Sequence, residues 1–221
     1  MTVRVKELED AVCDVIQIIK QIPELTGARL AVIGDLALCH YLPDRRPTDK
    51  ITFITDLPAL EFLGRKLLNH PNSPFWKTKQ ALFYRSPAGR DIEIEFSPQW
   101  LFPYLPDSTP LVYEIPYGKV PYAMAVDLFF FKLNSSLSVT TNPAKRRQDG
   151  DDAAALISRD NQDRFADGYI PTTKEQLRRL QGANDVQPMV ILSPQQEQFI
   201  KDALRGEDLT VSSVMHSPPL A

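Results

Sequence analysis

The sequence predicts an α/β (α+β) fold, a small mixed twisted sheet backed by helices, followed by a C-terminal helical part. Three observations predict it. Residues 5–22 place Val5, Leu8, Val12, Val15, Ile16, Ile19 and Ile22 at helical spacing. Five short apolar or alternating runs between residues 29 and 115 are interleaved with helical stretches. From residue 126 onward only helical stretches and polar linkers follow.

The first helix ends at Pro23, and its apolar stripe is expected to cover a sheet. Residues 29–34, Arg-Leu-Ala-Val-Ile-Gly, are a continuous apolar run closed by glycine, the pattern of a buried strand. Asp35 then stands as the expected N-cap of a helix carrying Leu36, Ala37, Leu38, Cys39 and Tyr41, which Pro43 and Pro47 end. Residues 50–54 alternate polar and apolar, a second strand. Asp56-Leu57-Pro58 opens a helix striped by Leu60, Phe62, Leu63, Leu67 and Leu68. Residues 80–84 and 91–96 form a hairpin about Ser86-Pro87-Ala88-Gly89. Asp91, Glu93 and Glu95 alternate with Ile92, Ile94 and Phe96, which lines three carboxylates along one face of that strand.

A loop rich in proline and aromatic residues leads to residues 111–115, expected as a last strand. Residues 126–133 are a strongly apolar helix, 134–145 a polar linker, and 151–157 helical again. Further helices are expected from Thr173 and after Ser193-Pro194, the latter with proline at the first helical position. The expected division is a core with its N-terminal helix over 1–133, a helical part over 134–207 and a flexible tail over 208–221.

Composition narrows the function classes. A formal charge of −3 and a pI near 5.7 argue against gripping nucleic acid by bulk charge. Lys145-Arg146-Arg147 is the local basic cluster; its plainer role is a solvated charge group where a helix starts. Two cysteines, Cys13 and Cys39, lie in apolar helical patterns and are expected as reduced core residues. No apolar run has the length of a signal peptide or a membrane span, so a cytoplasmic protein is expected, with the nucleus as the other compartment. His40 is expected to pack rather than act as a base, and His70 and His216 lack metal-ligand spacing.

Two blocks carry a family resemblance. The first runs Leu30-Ala31-Val32-Ile33-Gly34-Asp35-Leu36-Ala37 through Leu42, and continues as Arg46-Pro47-Thr48-Asp49-Lys50-Ile51-Thr52-Phe53-Ile54. It resembles the minimal nucleotidyltransferases, in which a strand ends in Gly-Gly or Gly-Ser before a helix. There, Arg-x-Thr-x-Asp-Ile-Asp follows. The second block joins 120–133, with Phe131-Lys132-Leu133, to Arg146-Arg147-Gln148-Asp149-Gly150-Asp151-Asp152. It resembles the abortive-infection and antitoxin-type branch, with its Arg-x-Lys-Asp-x-x-Asp helix start. Together the blocks span 28–158.

The resemblance implies a site in which two aspartates on the second strand and an acid on a neighbouring strand hold divalent metal. Here those two positions are Lys50 and Thr52, and an ammonium repels a cation. Asp49 is one residue out of register, so its side chain is expected on the opposite face. Asp35 stands for the second glycine and brings negative charge to where a phosphate would approach. Lys50 is expected to pair with Glu93 and fill the vacated place.

Three functions follow from this degenerate motif. The first is a catalytically silent fold that binds a nucleotide, a nucleic acid or a protein partner. The second is an active, diverged transferase that passes a nucleoside monophosphate from a nucleotide to a hydroxyl acceptor and releases pyrophosphate. For it the candidate catalytic carboxylates are Asp49, Glu93 and Glu95, and Glu93 is the first candidate metal ligand. Gly34, Asp35, Thr48, Lys50, Thr52, Lys132 and Arg147 are the candidate nucleotide-binding residues. Mg²⁺ is a cofactor only on this active reading; otherwise none is expected. The third is a structural interaction module with a filled cleft.

Overall fold

The computed structural model describes residues 3–46, 48–137 and 141–157. Helix α1 spans Val3–Lys20, and its stripe of Leu8, Val12, Val15, Ile16 and Ile19 is buried. After a 3₁₀ turn at Pro23–Leu25 come strand β1 (Leu30–Ile33), helix α2 (Gly34–Tyr41), strand β2 (Lys50–Thr55) and helix α3 (Leu60–Leu68). Strands β3 (Phe75–Lys77), β4 (Leu82–Arg85) and β5 (Asp91–Pro98) follow. Helices α4 (Ala125–Leu137) and α5 (Pro143–Ile157) complete the described chain.

The five strands make one mixed sheet in the order β1-β2-β5-β4-β3. Strand β2 is parallel to β5, and the remaining neighbours are antiparallel. All four residues of β1 are buried, as its continuous apolar run requires. In β2 and β5 the alternation sends Ile51, Phe53, Ile92 and Ile94 into the core. The stacked rings of Phe53 and Phe96, 5.2 Å apart, continue that layer. Lys50, Thr52, Glu93 and Glu95 therefore share the other face, which closes only further along, where Ile54 and Ser97 are buried.

Several expectations are corrected. Residues 111–115 are not a strand: Val112–Glu114 is a 3₁₀ turn, and pairing is limited to a single bridge between Arg29 and Leu111. Pro110 and Pro116 flank the segment, and the Glu114 carboxylate accepts the Leu111 N–H, which curls the chain back on itself. Asp35 is not the N-cap of α2; that position is Ile33, and Asp35 lies in the first turn. Asp56 does not start α3 but accepts the Arg29 N–H at 2.9 Å. Strand β3 has no counterpart in the sequence reading. It has three residues and no alternation, and it exists by pairing with β4, where Trp76 stacks on Phe83 at 4.5 Å.

The chain divides into two compact units, one of Met1–Leu101 with Leu105–Ala123, the other of Phe102–Tyr104 with the chain from Met124. Leu133, the last residue of the expected core, lies within α4. Residues 134–137 belong to that helix rather than to a linker, because their polar groups find partners: the Ser136 hydroxyl donates to Leu133 O and the Ser135 hydroxyl to Asp149. The helices expected from Thr173 and after Ser193-Pro194, and the tail over 208–221, lie outside the described residues. Among the described residues, no helix is long and apolar enough to cross a membrane.

Candidate functional site

The site is built where β1 ends against β2. Ile33 pairs with Thr52, so Gly34 emerges directly beside the second strand. Its φ of 72° lies in the left-handed region that favours glycine. A Cβ added there would meet Thr52 at 3.5 Å, an ordinary contact, so backbone conformation and not crowding selects glycine.

The parallel register sets Lys50 opposite Glu93 and Thr52 opposite Glu95. The Lys50 ammonium reaches both acids, 2.6 Å from Glu95 Oε2 and 3.6 Å from Glu93 Oε1. The expected pairing with Glu93 is thus present as the longer of two contacts. Thr52 donates its hydroxyl to the same Glu95 oxygen at 3.3 Å. Burial alone would lower the Lys50 pKa, but the hydrogen bond and charge of Glu95 and the charge of Glu93 outweigh it and raise it. The group is half-exposed, so its electrostatics are screened by solvent.

The other first-block candidates have separate partners. Asp35 accepts from Arg46 Nη2 at 2.9 Å, a contact with no sequence signal beyond the presence of both charges. Asp49 precedes β2, is 86% exposed and is held by Arg4 at 2.7 Å. Thr48 Oγ1 accepts the Lys50 N–H at 3.3 Å and so shapes the turn into β2. Asp91, the third carboxylate of its strand, is bound by Arg85 at 2.9 Å and by the Trp76 indole N–H. Of the three acids on β5, Glu93 and Glu95 meet Lys50.

The crystal structure of an antigenic nucleotidyltransferase-like protein from Paracoccidioides brasiliensis is similar to this chain, with a TM-score of 0.54 and 18% identity over 95% of this chain and 92% of that one. The fold is nucleotidyltransferase-like. No protein-family model matches the sequence, and no curated protein does.

A divalent cation, which this fold family implies, does not fit the residues present. The oxygens nearest the expected metal position, those of Glu93 and Glu95, already face the Lys50 ammonium, and Thr52 offers a neutral hydroxyl in place of a carboxylate. Among the described residues, no three His, Cys, Asp or Glu side chains converge as a metal-ligand group.

A surface cleft of about 790 Å³ lies elsewhere on the same unit, lined by Glu9, Cys13, His40, Tyr117, Lys119 and Tyr122 among others. His40 stacks on Tyr122 at 4.2 Å, and its partial enclosure lowers its pKa. The Tyr122 hydroxyl donates to Glu9; burial first, and then that carboxylate, push the phenol pKa up.

In the second unit, Lys132 on α4 is 2.8 Å from Asp149 and 3.0 Å from Asp152 on α5. Lys132 thus joins Asp149 and Asp152, two of the three aspartates in residues 146–152, through one ammonium. Burial raises the Asp149 pKa, but Lys132, Ser135 and Lys145 together reverse this and lower it. Lys145 is 3.2 Å from Asp149, Arg146 donates to Ser136 O, and Arg147 is exposed.

Proposed function

We propose that this protein is a catalytically silent nucleotidyltransferase-fold protein, a pseudoenzyme that works as a binding or regulatory module in the cytoplasm. The observation that carries the reading is the Lys50 ammonium between Glu93 and Glu95, where the resemblance calls for aspartates and metal. Asp35 and Asp49 add support, because a rearranged catalytic centre would have to break their pairs with Arg46 and Arg4. The resemblance of the second block, together with Lys132 bridging Asp149 and Asp152, supports the abortive-infection antitoxin-type branch.

The charge on this face favours a protein partner over a free triphosphate. Lys50, Arg46, Asp35, Glu93 and Glu95 together contain one more acid than base, and the acid of Asp35 lies in the first turn of α2, where an anion would approach a helix N-terminus. A nucleotide remains the other candidate ligand, seated by Gly34 and the turn after it.

Calorimetric titration of ATP and GTP into the full chain, with and without Mg²⁺, tests the reading. No Mg²⁺-dependent heat is the expected result. Tight binding that requires Mg²⁺, followed by nucleotide transfer, would overturn it and restore the active, diverged transferase.

A further inference from the structure

Glu93 and Glu95 are two residues apart on one strand, so both carboxylates stand on the same face, where their like charges repel. Thr52 Oγ1 adds a third oxygen at 3.3 Å from Glu95. Such a set of hard oxygens attracts a cation, and a lysine from the adjacent parallel strand supplies one.

We infer that Lys50 is a tethered cation that replaces a divalent ion as the partner of Glu93 and Glu95, and that removing its charge uncovers a divalent-cation site made by those two carboxylates and Thr52. The inference rests on the silent-fold reading for its choice of site, but goes further. It says that the chain carries its own permanent counter-ion, which offsets one of the two carboxylate charges without metal and opposes the approach of a divalent ion. Coulomb's law gives the reason: a divalent ion approaching these oxygens meets a fixed positive charge that is 2.6 Å from one of them. The ammonium cannot diffuse away, so metal must displace it against a locally very high lysine concentration.

The test is thermal unfolding of the full chain and of Lys50→Met across a Mn²⁺ series, with NaCl controls of equal ionic strength. The wild type is expected to show no Mn²⁺-specific shift. Lys50→Met is expected to unfold about 2–4 °C lower, because a half-exposed pair stabilises only modestly, and to recover that loss with Mn²⁺. Recovery should vanish when Glu95→Gln is added. A Mn²⁺ shift of equal size in the wild type, or no recovery in Lys50→Met, would overturn the inference.

Should Lys50→Met not fold, the ammonium pKa of Lys50, followed by NMR in the wild type and in Glu95→Gln, decides instead. A fall in Glu95→Gln supports the tether, and an unchanged value removes it. Nucleotide calorimetry separates this outcome from the function: failed Mn²⁺ recovery in a protein that still lacks Mg²⁺-dependent nucleotide binding sinks the tether and leaves the silent-fold reading standing.

Discussion

Among the described residues one charge set, a lysine facing two acids, occurs in two very different surroundings. At the start of β2, Lys50, Glu93 and Glu95 have side chains 39%, 41% and 45% exposed. Between α4 and α5, Lys132, Asp149 and Asp152 are 8%, 1% and 0% exposed. Water screens the first set and leaves it adjustable. It is excluded from the second, where each charge depends on its partner for the hydration lost on folding. The buried set therefore acts as a structural lock, and the exposed set contributes little to stability.

The largest expected effect breaks the buried lock. Lys132→Met leaves two carboxylates buried with less compensation and should cost about 3–5 kcal/mol, read from urea unfolding. A loss below about 1 kcal/mol would erase the contrast between the two sets.

Acid titration sharpens the same contrast. The Asp149 pKa is lowered on folding, so its stabilisation is complete above the ordinary value of 3.8 and is lost as pH falls through the depressed folded value. Asp149→Asn should remove that part of the acid limb of the stability curve. An identical acid limb in both proteins would contradict the assignment.

Gly34→Ala is expected to cost roughly 1–2 kcal/mol, because φ of 72° strains any side chain while the space for a methyl exists. The smallest effect belongs to the exposed set. Lys50→Met should cost at most about 1 kcal/mol and lose even that in high salt. The Lys50 pKa is raised on folding, so its contribution is present below the ordinary 10.5 and disappears as pH rises through the folded value. In Lys50→Met that alkaline loss should be absent.

How far the sequence displayed this contrast depends on the range of each interaction. Period-two alternation made β2 and β5 legible, and the family register set Lys50 beside Glu93, because a strand fixes which face a residue occupies. It could not tell that the ammonium lies closer to Glu95, since that depends on the rotamer of a long side chain. Arg46 with Asp35 and Arg4 with Asp49 were hidden for the same reason: both pairs form through loop or helix geometry that no periodicity encodes. Strand β3 depends on its neighbour β4, and the last turn of α4 on partners from α5, so neither has a local signal. The acids Asp149 and Asp152 were visible only as part of a motif; that Lys132 bridges them emerged with the helix packing.

The most direct test of the central claim is an anomalous difference map from crystals grown with Mn²⁺, for the wild type and for Lys50→Asp/Thr52→Asp, which restores the aspartates of the family pattern. No manganese peak is expected at Glu93 and Glu95 in the wild type, and a clear one in the double variant. A peak bridging Glu93 and Glu95 in the wild type, with Lys50 displaced, would contradict that claim.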